Sequence, residues 1–328
     1  WRKSDLLSSE YIEGFPENYI ENYSFSFNTI NSYVHYECIF PNENMNFLLS
    51  GNYMLIIQNE EGEKILKKKI IVYEKIIQID AHVKRATFLK DISTKQEIDF
   101  KIYHSNIELN NPYEDIKVVI QQNDNWKTIK KNIKPTFIRN SILEYDYDGE
   151  ISFDGGNEFR DFDISSLRFF SQNIDTIYMK KNNDKNSKKI FVNLKKDTNK
   201  KEKPYFEKYD LNGKMIIQKD NSYSPENESE YVWVQFNLEK NNLYQDAYIY
   251  GALTNWDISK KYLLKYDNEK NHFSTKLLLK QGYYNYQYVT LDDRELEKIS
   301  TKLVEGNHFE TNNEYTIYVY YKSPWERY

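Results

Sequence analysis

The residues best suited to chemistry stand in one run, Asp154-Gly155-Gly156-Asn157-Glu158-Phe159-Arg160-Asp161-Phe162-Asp163. The glycine pair permits a tight turn, Arg160 can fork onto several nearby carboxylates, and Phe159 or Phe162 can anchor the segment. Two readings follow: a loop satisfied internally by the arginine fork, or a rigid contact surface with Glu158, Phe159 and Arg160 as candidate partner contacts. Elsewhere the spacing fails. Glu144-Tyr145-Asp146-Tyr147-Asp148-Gly149 has the alternating acids and glycine that open a calcium loop, but the twelfth position, which needs a bidentate glutamate, is Gly155. On a strand, Glu144, Asp146 and Asp148 would form a solvated face opposite Tyr145 and Tyr147. His35, His82, His104, His272 and His308 stand at neither HExxH nor His-x-His spacing, and Gly-x-Ser-x-Gly is absent. Carboxylate pairs such as Asp292-Asp293 are too common in so acidic a chain to single out. Cys38 is the only cysteine, which leaves no intrachain disulfide and no Cys-x-x-Cys motif, and its alternating segment predicts a core position. The chain is read as non-enzymatic, with no catalytic residues, no cofactor and no metal.

A second candidate is aromatic. Gly251-Ala252-Leu253-Thr254-Asn255-Trp256 and Gln281-Gly282-Tyr283-Tyr284-Asn285-Tyr286-Gln287-Tyr288-Val289 together resemble early-set modules that bind starch or glycogen. Tyr284, Tyr286 and Tyr288 would line one side of a strand, where rings could stack on sugars. In such modules the tryptophan is usually a packing residue, so the resemblance implies fold before sugar binding. A periplasmic carbohydrate-binding module is the alternative function.

These residues must be positioned by strands. Tyr23, Phe25 and Phe27 alternate with serines, Tyr33 to Phe40 continues the pattern, and Asn52 to Gln58 with Lys64 to Tyr73 flank the turn Asn59-Glu60-Glu61-Gly62. In that hairpin Leu66, Ile70 and Val72 should face inward and Lys67 and Lys69 water. Period-two runs recur at Ile77 to Val83, Ile98 to Ile102, Ile116 to Ile120 and Ile190 to Leu194, then at Val232 to Leu238, Phe273 to Leu279 and Tyr315 to Tyr321. Asn182 to Lys189 reads as a charged hairpin tip, Lys195 to Lys203 as a solvated loop, and Asp220 to Glu230 as a linker. Leu49-Ser50-Gly51-Asn52-Tyr53 is echoed by Lys280-Gln281-Gly282-Tyr283-Tyr284, which suggests like folds in which glycine supplies a positive φ before a strand. The expected architecture is all-β, three tandem immunoglobulin-like sandwiches over 1–74, 75–225 and 226–328, the first trimmed at its N-terminus and the last early-set-like.

Composition agrees. Hydrophobic residues are only 39% of 328, yet 30 Tyr, 18 Phe and 5 Trp can build sizeable cores. A net charge of −5 supplies no broad basic field, so nucleic acid is not expected as a partner. No apolar run approaches the ~18 residues of a spanning helix, so no direct membrane insertion is expected. The sequence starts at Trp1 without an initiator Met or leader, so a leader and some mature residues are expected to precede it.

Taken in order, the motifs resemble the type IX secretion system plug family of Bacteroidota. They include Trp1-Arg2-Lys3-Ser4-Asp5-Leu6, Tyr11-Ile12-Glu13-Gly14-Phe15, Gln122-Asn123-Asp124-Asn125-Trp126, Gly155-Gly156-Asn157-Glu158-Phe159-Arg160, Leu277 to Tyr286, Glu305-Gly306-Asn307-His308-Phe309-Glu310 and the closing Arg327-Tyr328. The resemblance spans essentially the whole chain. It implies a periplasmic protein at the inner face of the outer membrane, which binds the periplasmic mouth of a barrel translocon and closes it when cargo is not exported.

Overall fold

The computed structural model describes residues 3–181, 188–241, 243–291 and 299–322. Trp1-Arg2, most of the expected tip at 182–189, Asp292-Asp293 and Arg327-Tyr328 lie outside them. Strands make up 47% of the described residues and helices 6%, as the period-two patterning requires. Contacts group the chain into two compact units, one of residues 1–25 and 33–78 and the other of 26–32 and 79–328.

The first unit holds three two-stranded antiparallel ribbons: Ile12–Gly14 with Met45–Phe47, Asn22–Phe25 with Val34–Glu37, and Gly51–Gln58 with Lys64–Val72. In the last, Tyr53, Leu55 and Ile57 are half-buried and stand opposite Ile70, Lys68 and Leu66. Ile70 and Val72 are half-buried as expected, but Leu66 is 39% exposed. A two-stranded ribbon covers its apolar side only partly. No described residue of this unit is fully buried. Cys38, expected in a core, is exposed: it follows the Val34–Glu37 strand, where alternation no longer sets its side.

The second unit is built on four sheets. Ile116–Gln122 pairs with Asn125–Ile133 and with Tyr315–Tyr321. Lys95–Tyr103 pairs with Ile142–Tyr145, Ser152–Asp154 and Gln78–Arg85, and Phe137–Arg139 completes that sheet. These two sheets meet through Phe153 and Tyr315, whose rings are 5.2 Å apart, and through Gln122 Nε2, which donates to the Asp154 carbonyl at 3.0 Å. Ile98, Ile102, Ile116, Val118, Ile120 and Leu143 are all fully buried.

The third sheet runs Ile174–Lys181, Lys188–Leu194, Tyr231–Glu239, His272–Lys280, Lys265–Asp267. The fourth is organised by Gly282–Leu291, which pairs with Arg160–Asp163, Met215–Ile217, Ala247–Tyr250 and Ile299–Ser300. Between them lies a core that includes Phe162, Val192, Val234, Phe236, Tyr284 and Tyr286. The 225/226 division expected from composition falls within these sheets, because Phe191 pairs with Trp233, Arg160 with Tyr286 and Gln122 with Tyr315.

Asp220 to Glu230, expected as a linker, is hydrogen-bonded into the unit. Ser229 and Glu230 are buried, the Glu230 N–H donates to Gln281 Oε1 at 2.9 Å, and its carboxylate accepts the N–H groups of Ile30 and Asn31. At this end the segment's polarity is spent on protein partners, whereas Asp220, Asn221 and Glu226 remain exposed to water.

The echo between Gly51-Asn52-Tyr53 and Gly282-Tyr283-Tyr284 is real in geometry. Tyr53 Oη donates to the Leu49 carbonyl at 2.7 Å, and Tyr284 Oη to that of Lys280 at 2.5 Å, each four residues upstream. The same bond marks the tyrosine corner of immunoglobulin-like sandwiches. The glycines differ. Gly51 has a φ of 149°, whereas a Cβ on Gly282 would lie 2.2 Å from the Ile216 carbonyl oxygen, so close approach rather than positive φ requires glycine there.

Candidate partner-contact site

The run from Asp154 to Asp163 crosses from one sheet to another. Ser152–Asp154 ends against Lys95–Tyr103, and Arg160–Asp163 enters alongside Gly282–Leu291. Between them, a Cβ on Gly155 would lie 2.0 Å from the His308 carbonyl oxygen, and Gly156 has a φ of 69°. Alternation then places Arg160 and Phe162 inward.

Arg160 is 8% exposed and fully engaged. Its Nε donates to Glu305 Oε1 and Oε2 at 3.0 and 3.1 Å, Nη1 to Asp197 Oδ1 at 2.9 Å, and Nη2 to the Thr198 carbonyl at 2.8 Å. The Tyr286 and Tyr288 hydroxyls both donate to Asp197 Oδ2 at 2.7 Å, and the Tyr288 N–H donates to Glu305 Oε1 at 2.9 Å. Burial alone would lower the Arg160 pKa, but Glu305 and Asp197 raise it well above its ordinary value. Burial likewise pushes Glu305 up, yet Arg160 and Lys200 bring it below the usual carboxylate range. The centre therefore holds its charges by mutual pairing.

Glu158 is 3% exposed: Oε1 accepts from the Tyr205 hydroxyl at 2.5 Å and from the Asn312 N–H at 3.0 Å, while Oε2 is buried without a partner. Phe159 is 5% exposed and meets Trp256 edge to face at 6.2 Å. Its N–H donates to Asp210 Oδ2 at 2.5 Å. Burial raises Asp210 to about 6, against the lowering effect of the Asn212 and Phe159 N–H bonds, and nearby Glu158 adds to the rise.

Glu158, Phe159 and Arg160 thus come together, but with their side chains inward. Of the two readings of this run, the internally satisfied loop is the one the geometry displays. Glu158 and Phe159, together with Asp161 and Asn285, position the surface segment from Tyr205 to Leu211. Tyr205 is held by Glu158, Lys208 by Asp161, Asp210 by the Phe159 N–H, and Leu211 by Asn285. On it Phe206 is 80% exposed and Tyr209 89%.

Asp197, Lys200 and Glu305 were not single-site candidates from sequence. Lys195 to Lys203, expected as a solvated loop, turns Asp197 and Thr198 toward Arg160, and Lys200 donates to the Glu158 carbonyl at 3.0 Å with its pKa lowered by burial. Charge density alone does not reveal which members of a charged run face inward. Tyr284, Tyr286 and Tyr288 do share one side of their strand, but at 1%, 2% and 0% exposure that side is core and offers no platform for sugars. Trp256 packs as expected, 5.2 Å from Tyr250. Glu144 meets Lys101 and Arg139 rather than a cation site, and no metal-holding cluster of His, Cys, Asp and Glu occurs among the described residues.

Fold and site together define an all-β protein whose buried charges frame a surface loop, and among the described residues no helix is long and apolar enough to cross a membrane. Residues 1–74 match the family model described as the type 9 secretion system plug protein 1st domain, which supports the chain's place in the type IX secretion plug family, a family of secretion plugs rather than enzymes. The whole chain is also similar to a crystal structure of a hypothetical protein from Parabacteroides merdae, at 28% identity and a TM-score of 0.94, covering 82% of that chain. No curated protein matches.

Proposed function

We propose that the chain plugs the outer-membrane barrel translocon of the type IX secretion system, binding its periplasmic mouth from the inner face of the outer membrane and sealing it when cargo is not exported. The match of residues 1–74 to the plug first-domain model carries this reading. Physically, a seal asks for a rigid body and a contact surface with aromatic anchors. The Tyr205 to Leu211 segment fits the second demand: Phe206 and Tyr209 project from a loop tied at four positions, so little ordering entropy remains to be lost on docking.

The test is affinity isolation of the full-length protein from detergent-solubilised outer membranes. The barrel should co-purify, a deletion strain that still makes the barrel should admit large antibiotics, and Phe206→Ala with Tyr209→Ala should weaken recovery of the barrel about tenfold or more. Wild-type permeability in the deletion strain counts against sealing, and undiminished recovery with the double variant removes this loop from the interface.

A further inference from the structure

The strand that turns Tyr284, Tyr286 and Tyr288 into the core presents its alternate residues on the opposite face. There, within the second unit, lies a cavity of about 410 Å³, inside the range of roughly 300–1,000 Å³ usual for small-molecule sites. Six amide side chains line it: Gln122, Asn123, Asn125, Asn157, Gln287 and Asn313. Aromatic surface comes from Phe153, Phe159 and Trp256.

Most of these amides are occupied. Gln122 donates to the Asp154 carbonyl and the Tyr315 hydroxyl, Asn123 to Asn313 Oδ1, and Asn157 to the Glu305 carbonyl, while Asn125 accepts from the Tyr250 hydroxyl. Gln287 differs: it is 9% exposed, lines the cavity, and its side chain has no hydrogen-bond partner among the described residues. Its amide opens on the cleft and is committed to no other described side chain, so it offers a donor and an acceptor to a ligand there.

The charges say what kind. Lys95 is paired with Asp91 at 3.1 Å, Asp154 with Lys302 at 3.6 Å, and Lys130 donates to the Glu150 carbonyl. Only Lys127, exposed at the rim, has no such tie, so the interior is tuned to a neutral molecule. An amide offers donor and acceptor side by side, which suits vicinal hydroxyls, and an aromatic ring suits the apolar face of a sugar. We propose that this cleft binds a short neutral saccharide, its ring against Trp256 and its hydroxyls on Gln287. The proposal is independent of the translocon reading and does not use the buried tyrosines.

Calorimetric titration of the full chain with maltotriose and with N,N′-diacetylchitobiose tests it. At least one sugar should bind, and Gln287→Leu and Trp256→Phe should each weaken binding about tenfold. Because Gln287 is idle without ligand, Gln287→Leu should keep or raise the thermal midpoint. Failure of both sugars to bind, unchanged affinity in Gln287→Leu, or a lowered midpoint in that variant overturns the proposal. So does binding of the blocked peptide acetyl-(Asn-Ser)₃-amide by a chain that takes neither sugar, which assigns the cleft to extended peptides.

Discussion

Asp210 holds the underside of the exposed loop by accepting the N–H groups of Phe159 and Asn212, beside the buried Glu158 carboxyl. Burial, the largest cause, raises its pKa from 3.8 to about 6. The folded state thus binds this proton more tightly than the unfolded chain does. The stability it contributes is complete below the unfolded value and lost as pH rises through the folded one. Asp210→Asn removes that loss, so the difference in thermal midpoint, variant minus wild type, should grow from about pH 4 to about pH 7 in melts across that window. A difference that shrinks with pH contradicts the assignment. Glu305, lowered by Arg160, works the opposite way, which is why the variant must be compared with wild type at each pH. Little of this was legible in sequence. The Arg160 fork was, but its partner Glu305 stands 145 residues away, and separation of that size hides a pair from any local reading.

At the scale of elements, strand existence was plain and strand pairing was not. Val232, Val234, Phe236 and Leu238 announce a strand with one fully buried side, as found. That its neighbours are Lys188–Leu194, in parallel, and His272–Lys280 follows from tertiary packing, which period-two alternation does not encode. The Gly-x-Tyr echo was the exception, because a four-residue hydrogen bond is local enough to be written in a short motif. Tyr53→Phe and Tyr284→Phe should each cost about 0.5–1.5 kcal/mol in urea unfolding, the larger loss falling at Tyr284, whose ring is buried. No loss in either variant would reduce these bonds to incidental contacts.

For the whole molecule, the contrast lies between a second unit with fully buried cores and a first unit without a fully buried described residue. Protection against hydrogen exchange follows burial and closed ladders, so amides of Asn22–Phe25 and Gly51–Gln58 should exchange faster than those of Tyr231–Glu239. Mass-spectrometric exchange on the full chain checks this, and equal protection would mean that the first unit is closed in solution. Composition could not reveal the difference, because the first unit is as rich in Tyr, Phe and Ile as a core-forming segment. Its ribbons do touch, Phe47 lying 4.7 Å from Tyr53, but no side chain among its described residues is sealed from water.

The pairing of Ile116–Gln122 with Tyr315–Tyr321 sets a timetable for biogenesis. A chain that emerges N-terminus first can form the ribbons of its first unit early, but the Ile116–Gln122 strand must wait for a segment 193 residues further along, counted from Gln122 to Tyr315, before its second neighbour arrives. Until then one of its edges is unprotected, which is the condition under which strands pair with the wrong chain. Folding helpers that shield strand edges should therefore matter most in the interval before Tyr315–Tyr321 is made, and truncations near residue 315 should aggregate rather than yield a shorter native protein.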